Sequence, residues 1–285
     1  MRSESYVEIG GMTVRLTGEK GLEQTAGSGA FRPFLTESRQ CDANISLDTE
    51  LPMTPFHTLH EFDFQTIAKC RFGRDGNSFH FVMHTPDGKS LRLRHNVGGD
   101  VEISRCPDRQ MLHFALWMAF NLTGCTHGCL SIHSSCIVYR DGAILFLGES
   151  GTGKSTQSRL WHEYHPEAML LNDDGPFLAP CNGRYEVYGS PWSGKTPCYR
   201  NIEAPVGAIV RIQQRKKNEI HRMAPVESLA QLLPAASSMK WDERVYLGVC
   251  DTLSVLISKV GIYELGCLPD ADAARLCYGT IKAKD

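Results

Sequence analysis

The nine residues Gly148-Glu149-Ser150-Gly151-Thr152-Gly153-Lys154-Ser155-Thr156 constrain this chain more than any other stretch. They satisfy Gly-x4-Gly-Lys-Ser/Thr in full, and each residue type has a mechanical reason. Glycines let the backbone curl so that successive N–H groups point inward at a di- or triphosphate. A helix that starts near Lys154 adds its positive N-terminal end. In such a loop Lys154 bridges the β and γ phosphates, and the Ser155 hydroxyl is a ligand for Mg²⁺. The flanks agree with this reading. Ala143 to Leu147 is an apolar run that reads as a strand entering the loop, and Gln157 to Glu163 reads as a helix leaving it.

Composition narrows what can bind there. Lys plus Arg number 30 and Asp plus Glu 32, a formal net charge of −2. That balance offers no polycation to release counterions from a nucleic-acid polymer. It leaves a single nucleotide open, because backbone dipoles, one lysine and a metal hold its phosphates. With 42% hydrophobic and 22% charged residues the chain reads as globular, and 285 residues correspond to about two domains at about 150 each. The 11 cysteines are scattered with no Cys-x-x-Cys pair, and residues 1–6 lack the apolar core of a secretion signal. No apolar stretch approaches the ~18 residues that span a bilayer. The expectation is a reduced, cytoplasmic protein without membrane contact.

The pattern changes near residue 105. Before it, short strands are expected at Tyr6 to Ile9 and Met12 to Leu16 around Gly10-Gly11, and at Phe79 to His84 and Ser90 to Arg94 around Pro86-Asp87-Gly88. Gly21 to Gly29 reads as a loop. After it, Asp108 to Leu122 reads as a buried helix with Asp108 as N-cap. Cys136 to Tyr139 and Ala143 to Leu147 form a hairpin that runs into the glycine loop. Strands are expected at Met169 to Leu171, Tyr185 to Tyr188, Val206 to Ile212 and Ile262 to Leu265. Helices are expected at Val226 to Leu233, Trp241 to Val260 and Asp270 to Lys282. The division is uneven: a β-rich region 1–105 and an α/β region 106–285.

Leu170-Leu171-Asn172-Asp173-Asp174-Gly175 ends an apolar strand about twenty residues after the loop. Paired carboxylates at a strand end, beside a phosphate cradle, suit metal binding by one and proton acceptance by the other. Asp173 and Asp174 are candidates for both jobs. Gly189 to Thr196 reads either as a functional loop, with Lys195 on a phosphate and Trp192 exposed to stack on a base, or as a turn whose Trp packs on the core. Arg200 and Arg211 are weaker candidates for charge near a phosphoryl group. Cys125, His127, Cys129, His133 and Cys136 contain zinc-ligand types, but no second spaced pair closes a tetrahedral site.

The run from Ser131-Ile132-His133 through the hairpin, Gly-Glu-Ser-Gly-Thr-Gly-Lys-Ser and Asn-Asp-Asp resembles the catalytic domain of HPr kinase/phosphorylase. More distantly it resembles the nucleotide-binding part of ATP-dependent phosphoenolpyruvate carboxykinase. The match covers roughly residues 125 to 215. It implies a phosphoenolpyruvate carboxykinase-like P-loop fold with a mixed sheet, in which an antiparallel hairpin feeds the loop. It also implies ATP or another nucleoside triphosphate with Mg²⁺, and transfer of the γ-phosphoryl to a hydroxyl on a protein or small molecule. Through the resemblance His133 lies near the phosphates, Asp173 and Asp174 are the acidic pair, and Glu186 of Glu186-Val187-Tyr188-Gly189 is a second metal ligand. Tyr188 stands where the family has arginine, and the family's late Arg-Gly-Arg-Asn segment is not evident. The chain therefore resembles the broader group of HPr-kinase-like proteins, among which homo-oligomers are common. A non-catalytic nucleotide sensor or assembly factor, or a carboxykinase-type enzyme, are the other functions compatible with these residues.

Overall fold

Alternating apolar and polar side chains lead the first part of the chain into strands. These are β1 (Ser3–Ile9), β2 (Met12–Gly18), β3 (Ala43–Thr49), β4 (His57–Phe64), β5 (Ala68–Asp75), β6 (Ser78–His84), β7 (Ser90–Asn96) and β8 (Val101–Ser104). A computed structural model describes residues 2–19, 29–106, 108–140, 142–194 and 197–282. Lys195 and Thr196, and most of the expected loop Gly21 to Gly29, lie outside the described residues.

The eight strands form one mixed sheet in the order β1-β2-β3-β8-β7-β6-β5-β4. β2, β3 and β8 pair in parallel and the remaining neighbours antiparallel. Along β2 every second residue is buried, the mark of a strand with one face inside. Helix α1 (Arg109–Cys125) starts as expected: the Asp108 carboxylate accepts the N–H groups of Gln110 at 3.0 Å and Met111 at 3.1 Å.

The chain divides into two compact units, Met1–His127 with Ser238–Tyr246, and Gly128–Ser237 with Leu247–Asp285. Helix α1, which follows the pattern change near residue 105, thus groups with the first sheet.

The second unit holds β9 (Leu130–Ile132), β10 (Ser134–Tyr139), β11 (Gly142–Leu147), α2 (Lys154–Tyr164), β12 (Met169–Asp174), β13 (Phe177–Cys181), β14 (Arg184–Tyr188), β15 (Glu203–Gln214), β16 (Glu219–Arg222), α3 (Pro225–Ala235) and β17 (Ala236–Ser237). Helix α4 (Glu243–Lys259) follows, with β18 (Gly261–Cys267) and α5 (Ala271–Lys282) completing the chain. The sheet is again mixed, ordered β12-β10-β11-β15-β14-β13-β9-β17, with β18 parallel to β15 and β16 antiparallel to β18. The long β15 pairs with β14 through Glu203–Pro205 and with β11 and β18 through its later residues. Five of the six residues of β11 are buried, as befits a central strand covered on both faces. Trp161 of α2 and Ala273, Ala274 and Cys277 of α5 pack on Ile144, Phe146, Val210 and Leu265. This core fixes α2 over β11 and so fixes the loop between them.

The expected helix from Trp241 begins two residues later. Asp242 stays outside α4 and accepts the N–H groups of Arg244 at 3.0 Å and Val245 at 3.3 Å, which makes it the N-cap. Trp241 instead stacks on His60 at 3.8 Å between ring centroids. No helix among the described residues is long and apolar enough to cross a membrane. No disulfide joins any of the 11 cysteines, all of which are among the described residues.

Candidate functional site

The β10–β11 hairpin delivers the chain to Gly148, and β11 runs parallel to β15. Gly148 has φ +150°, and a Cβ there would lie 2.4 Å from Thr152 Oγ1, so only glycine fits this entry to the loop. Thr152 closes the curl by donating its hydroxyl to Glu149 O at 2.8 Å. Gly151 and Gly153 have φ of +85° and +109°. Gln214, at the end of β15, steadies the loop by donating Nε2 to Gly151 O at 3.3 Å. Gly153 is the N-cap of α2 and offers no side chain, so the first-turn N–H groups of α2 have no side-chain cap. An uncapped helix start behind a curled loop is a ready anion site.

Lys154 folds back over this loop. Its ammonium donates to Gly148 O at 2.7 Å, to Glu149 O at 3.3 Å and to His133 Nε2 at 3.1 Å. An ammonium has no acceptor, so Nε2 of His133 accepts and Nδ1 carries the ring proton. His133 Nδ1 lies 3.0 Å from Asp174 Oδ1, within ion-pair distance. Lys154, His133 and Asp174 therefore form one continuous row of polar contacts. Burial pushes the Lys154 ammonium below its ordinary pKa, while the charges of Asp174 and Asp173 pull it back up.

Asp173 and Asp174 end β12, whose pairing with β10 sets Asp173 opposite Ser135 and Asp174 opposite Ser134. They face different surroundings. Asp173 is 8% exposed and accepts the Ser155 hydroxyl at 3.1 and 3.3 Å. The Asp174 side chain is 48% exposed and its backbone has φ +149°, a region disfavoured for any residue with a Cβ.

The residue that shapes this turn is Asn172, fully buried beside them. Its Oδ1 accepts the Gly175 N–H at 2.9 Å. Its Nδ2 donates to Trp192 O at 3.1 Å and to Ser190 O at 3.3 Å. Ser190 is also buried and donates its hydroxyl to Gly175 O at 2.7 Å. Gly194 donates its N–H to Asp173 O at 2.6 Å. The segment 190–194 is thus stitched to the back of the aspartate turn. The only trace of this role in the sequence is an amide placed between an apolar strand and two carboxylates.

The other candidates fall at varied places. Trp192 is 7% exposed and packs on Phe177 at 5.9 Å between centroids. Of the two readings of this segment, the turn whose tryptophan packs on the core is the one present, and the exposed base-stacking aromatic is not. Glu186 is buried on β14 and paired with Arg184 at 2.7 Å, and no hydrogen bond joins it to the residues above. Arg211, opposite Leu147 on β15, pairs with Glu264 at 2.8 Å. Arg200 donates to Leu170 O and lines a cavity of about 740 Å³ together with Ser155, Asp173, Arg159 and His162. Among the described residues no group of three or more His, Cys, Asp or Glu is placed to hold a metal by itself. The described cysteines and histidines of 125–136 accordingly form no zinc cluster.

Chemically, the site offers a curled loop of N–H groups, one ammonium, one hydroxyl against a buried carboxylate and one exposed carboxylate oriented by an imidazole. These features fit a nucleoside triphosphate with Mg²⁺. Mg²⁺ is ordinarily held by only one or two protein oxygens, with phosphate oxygens and water completing its shell. No protein-family profile matches the sequence, and no curated protein is significantly similar to it.

Proposed function

We propose that this chain is an ATP- and Mg²⁺-dependent phosphotransferase of the HPr-kinase-like type, with its second unit built on the phosphoenolpyruvate carboxykinase-like P-loop fold. The observation that carries this reading is the row Lys154–His133–Asp174, set at the mouth of a glycine loop whose Ser155 already touches Asp173. Bound Mg·ATP would supply the transferable phosphoryl group and the cation that neutralises its charge. The loop N–H groups and Lys154 orient the phosphates. Ser155 and Asp173 would hold the metal, Asp173 directly or through water. Asp174 accepts the proton of the attacking hydroxyl, and His133 keeps that carboxylate turned toward the loop.

This reading divides the two aspartates by environment: the buried one for the metal and the exposed one for the acceptor. With water as the phosphoryl acceptor, Asp174→Asn should lower the slow release of ADP and phosphate from Mg·ATP by about 10²-fold or more, the ordinary range for loss of a general base. ATP affinity should remain within a few-fold. Unchanged turnover in that variant would refute the assignment. Tyr188, in place of the family's arginine, favours the sensor or assembly-factor reading. Saturable ATP binding with no ADP formed by the unaltered protein would select it.

A further inference from the structure

A second set of charged groups gathers in the first unit, unrelated to the glycine loop. The register of β5, β6 and β7 sets Arg71, Val82 and Arg92 side by side across three strands. Neighbouring strands lie about 4.8 Å apart, so both arginines rise from one sheet face with Val82 between them and Cα atoms about 10 Å apart. Arg94, two residues along β7, shares that face.

The connection between β3 and β4 lies over these residues. Leu51 O accepts from Arg92 Nη1 at 2.6 Å. The Phe56 ring lies 5.4 Å from the Arg71 guanidinium, measured to the ring centroid. The result is a cavity of about 450 Å³ lined by the three arginines, Val82, Phe56 and Leu51. That size falls within the ordinary range for small-molecule sites, about 300–1,000 Å³.

Glu61 stands opposite Arg71 in the β4–β5 register but makes no ion pair with it. Arg94 is neutralised by Glu102, at 2.9 and 2.5 Å. Among the described residues no carboxylate lies within ion-pair distance of Arg71 or Arg92. Arg92 Nε is buried and makes no hydrogen bond. Its Nη1 is held by Leu51 O, so the guanidinium is fixed at the cavity wall without a counter-charge. The local field agrees: burial first, then the charges of Arg71 and Arg92, hold His84 on the neighbouring strand below its ordinary pKa.

We propose that this cavity binds a small organic anion, its carboxylate or phosphate head between Arg71 and Arg92 and its apolar body against Val82 and Phe56. Two guanidiniums on one oxyanion supply charge-assisted bonds with fixed geometry, which a lysine pair would not.

The test is calorimetric titration of the full chain with phenyl phosphate and, separately, with benzoate. The expected result is saturable binding of at least one probe, retained in Lys154→Ala and weakened about tenfold or more in Arg71→Gln and in Arg92→Gln. Binding of phenyl phosphate alone assigns a phosphate head, and binding of benzoate as well assigns any oxyanion. Thr54→Glu lies on the covering segment outside the sheet and adds a competing carboxylate, so it should weaken binding even if an arginine variant fails to fold. No binding of either probe at millimolar concentration would overturn the proposal. So would binding lost in Lys154→Ala, or binding unchanged in the arginine and Thr54 variants.

Discussion

Replacing Asn172 by alanine tests how the aspartate turn is held. The substitution removes the acceptor of the buried Gly175 N–H and the donor that ties Trp192 O and Ser190 O to the turn. A buried donor left unpaired costs about 1–3 kcal/mol, and each lost neutral hydrogen bond about 0.5–1.5 kcal/mol. The single Ser190 hydroxyl proton, shared between Gly175 O at 2.7 Å and Trp192 O at 3.0 Å, offsets only part of the second contribution. The sum is about 2–4 kcal/mol. For a domain of about 150–250 residues each kcal/mol moves the midpoint by about 2–4 °C, which gives a fall of roughly 4–16 °C in thermal unfolding. Asn172→Asp sharpens the test. It keeps the acceptor for Gly175 but sets a carboxylate oxygen where Nδ2 donated, facing two carbonyl oxygens. Burial raises the folded-state pKa of this carboxyl above the ordinary ~3.9. Its extra penalty over alanine is therefore absent in acid and grows as pH rises through and above that value. Urea unfolding of both variants at pH 4 and pH 7 reads the difference. A loss below about 0.5 kcal/mol in Asn172→Ala, or no pH dependence in Asn172→Asp, would refute the reasoning.

Two further outcomes follow from the same loop and row. A Cβ on Gly189 would lie 1.8 Å from the Arg200 carbonyl oxygen, a backbone atom, so Gly189→Ala should cost about 1–3 kcal/mol in urea unfolding; a change within 0.5 kcal/mol would contradict the packing. The folded-state pKa of Lys154 lies below its ordinary 10.5, so the unfolded chain binds more protons as pH approaches 10.5 from below. The stability of the unaltered protein relative to Lys154→Met should therefore rise with pH through that window, and a fall would contradict the burial of the ammonium.

The parts of the molecule legible in the sequence are those that local chemistry specifies. The Gly148–Thr156 pattern, the hairpin before it and the Asp108 cap each depend on residues close together in the chain. The first sheet was only half legible. β4 reads His-Thr-Leu-His-Glu-Phe-Asp-Phe, with its larger side chains only partly buried, and its strand state comes from pairing with β5 rather than from a strong apolar alternation. The choice between an exposed and a core-packed Trp192 was likewise left open, because it depends on Phe177, a residue that meets it only in three dimensions. The different surroundings of Asp173 and Asp174 could not be read from two adjacent identical letters. They follow from β12 turning one carboxylate toward α2 and leaving the other half exposed.

Calorimetric titration of Mg·ATP into the unaltered protein and into Lys154→Ala bears on whether the loop at 148–156 holds a triphosphate. Lys154 supplies the only side-chain ammonium at the loop among the described residues, and charge-assisted bonds of this kind are each worth about 1.5–3 kcal/mol, so its loss should raise Kd about tenfold or more. One saturable, Mg²⁺-dependent site in the unaltered protein, weakened to that extent in the variant, is the expected result. Absence of binding, or equal affinity in both proteins, would contradict it.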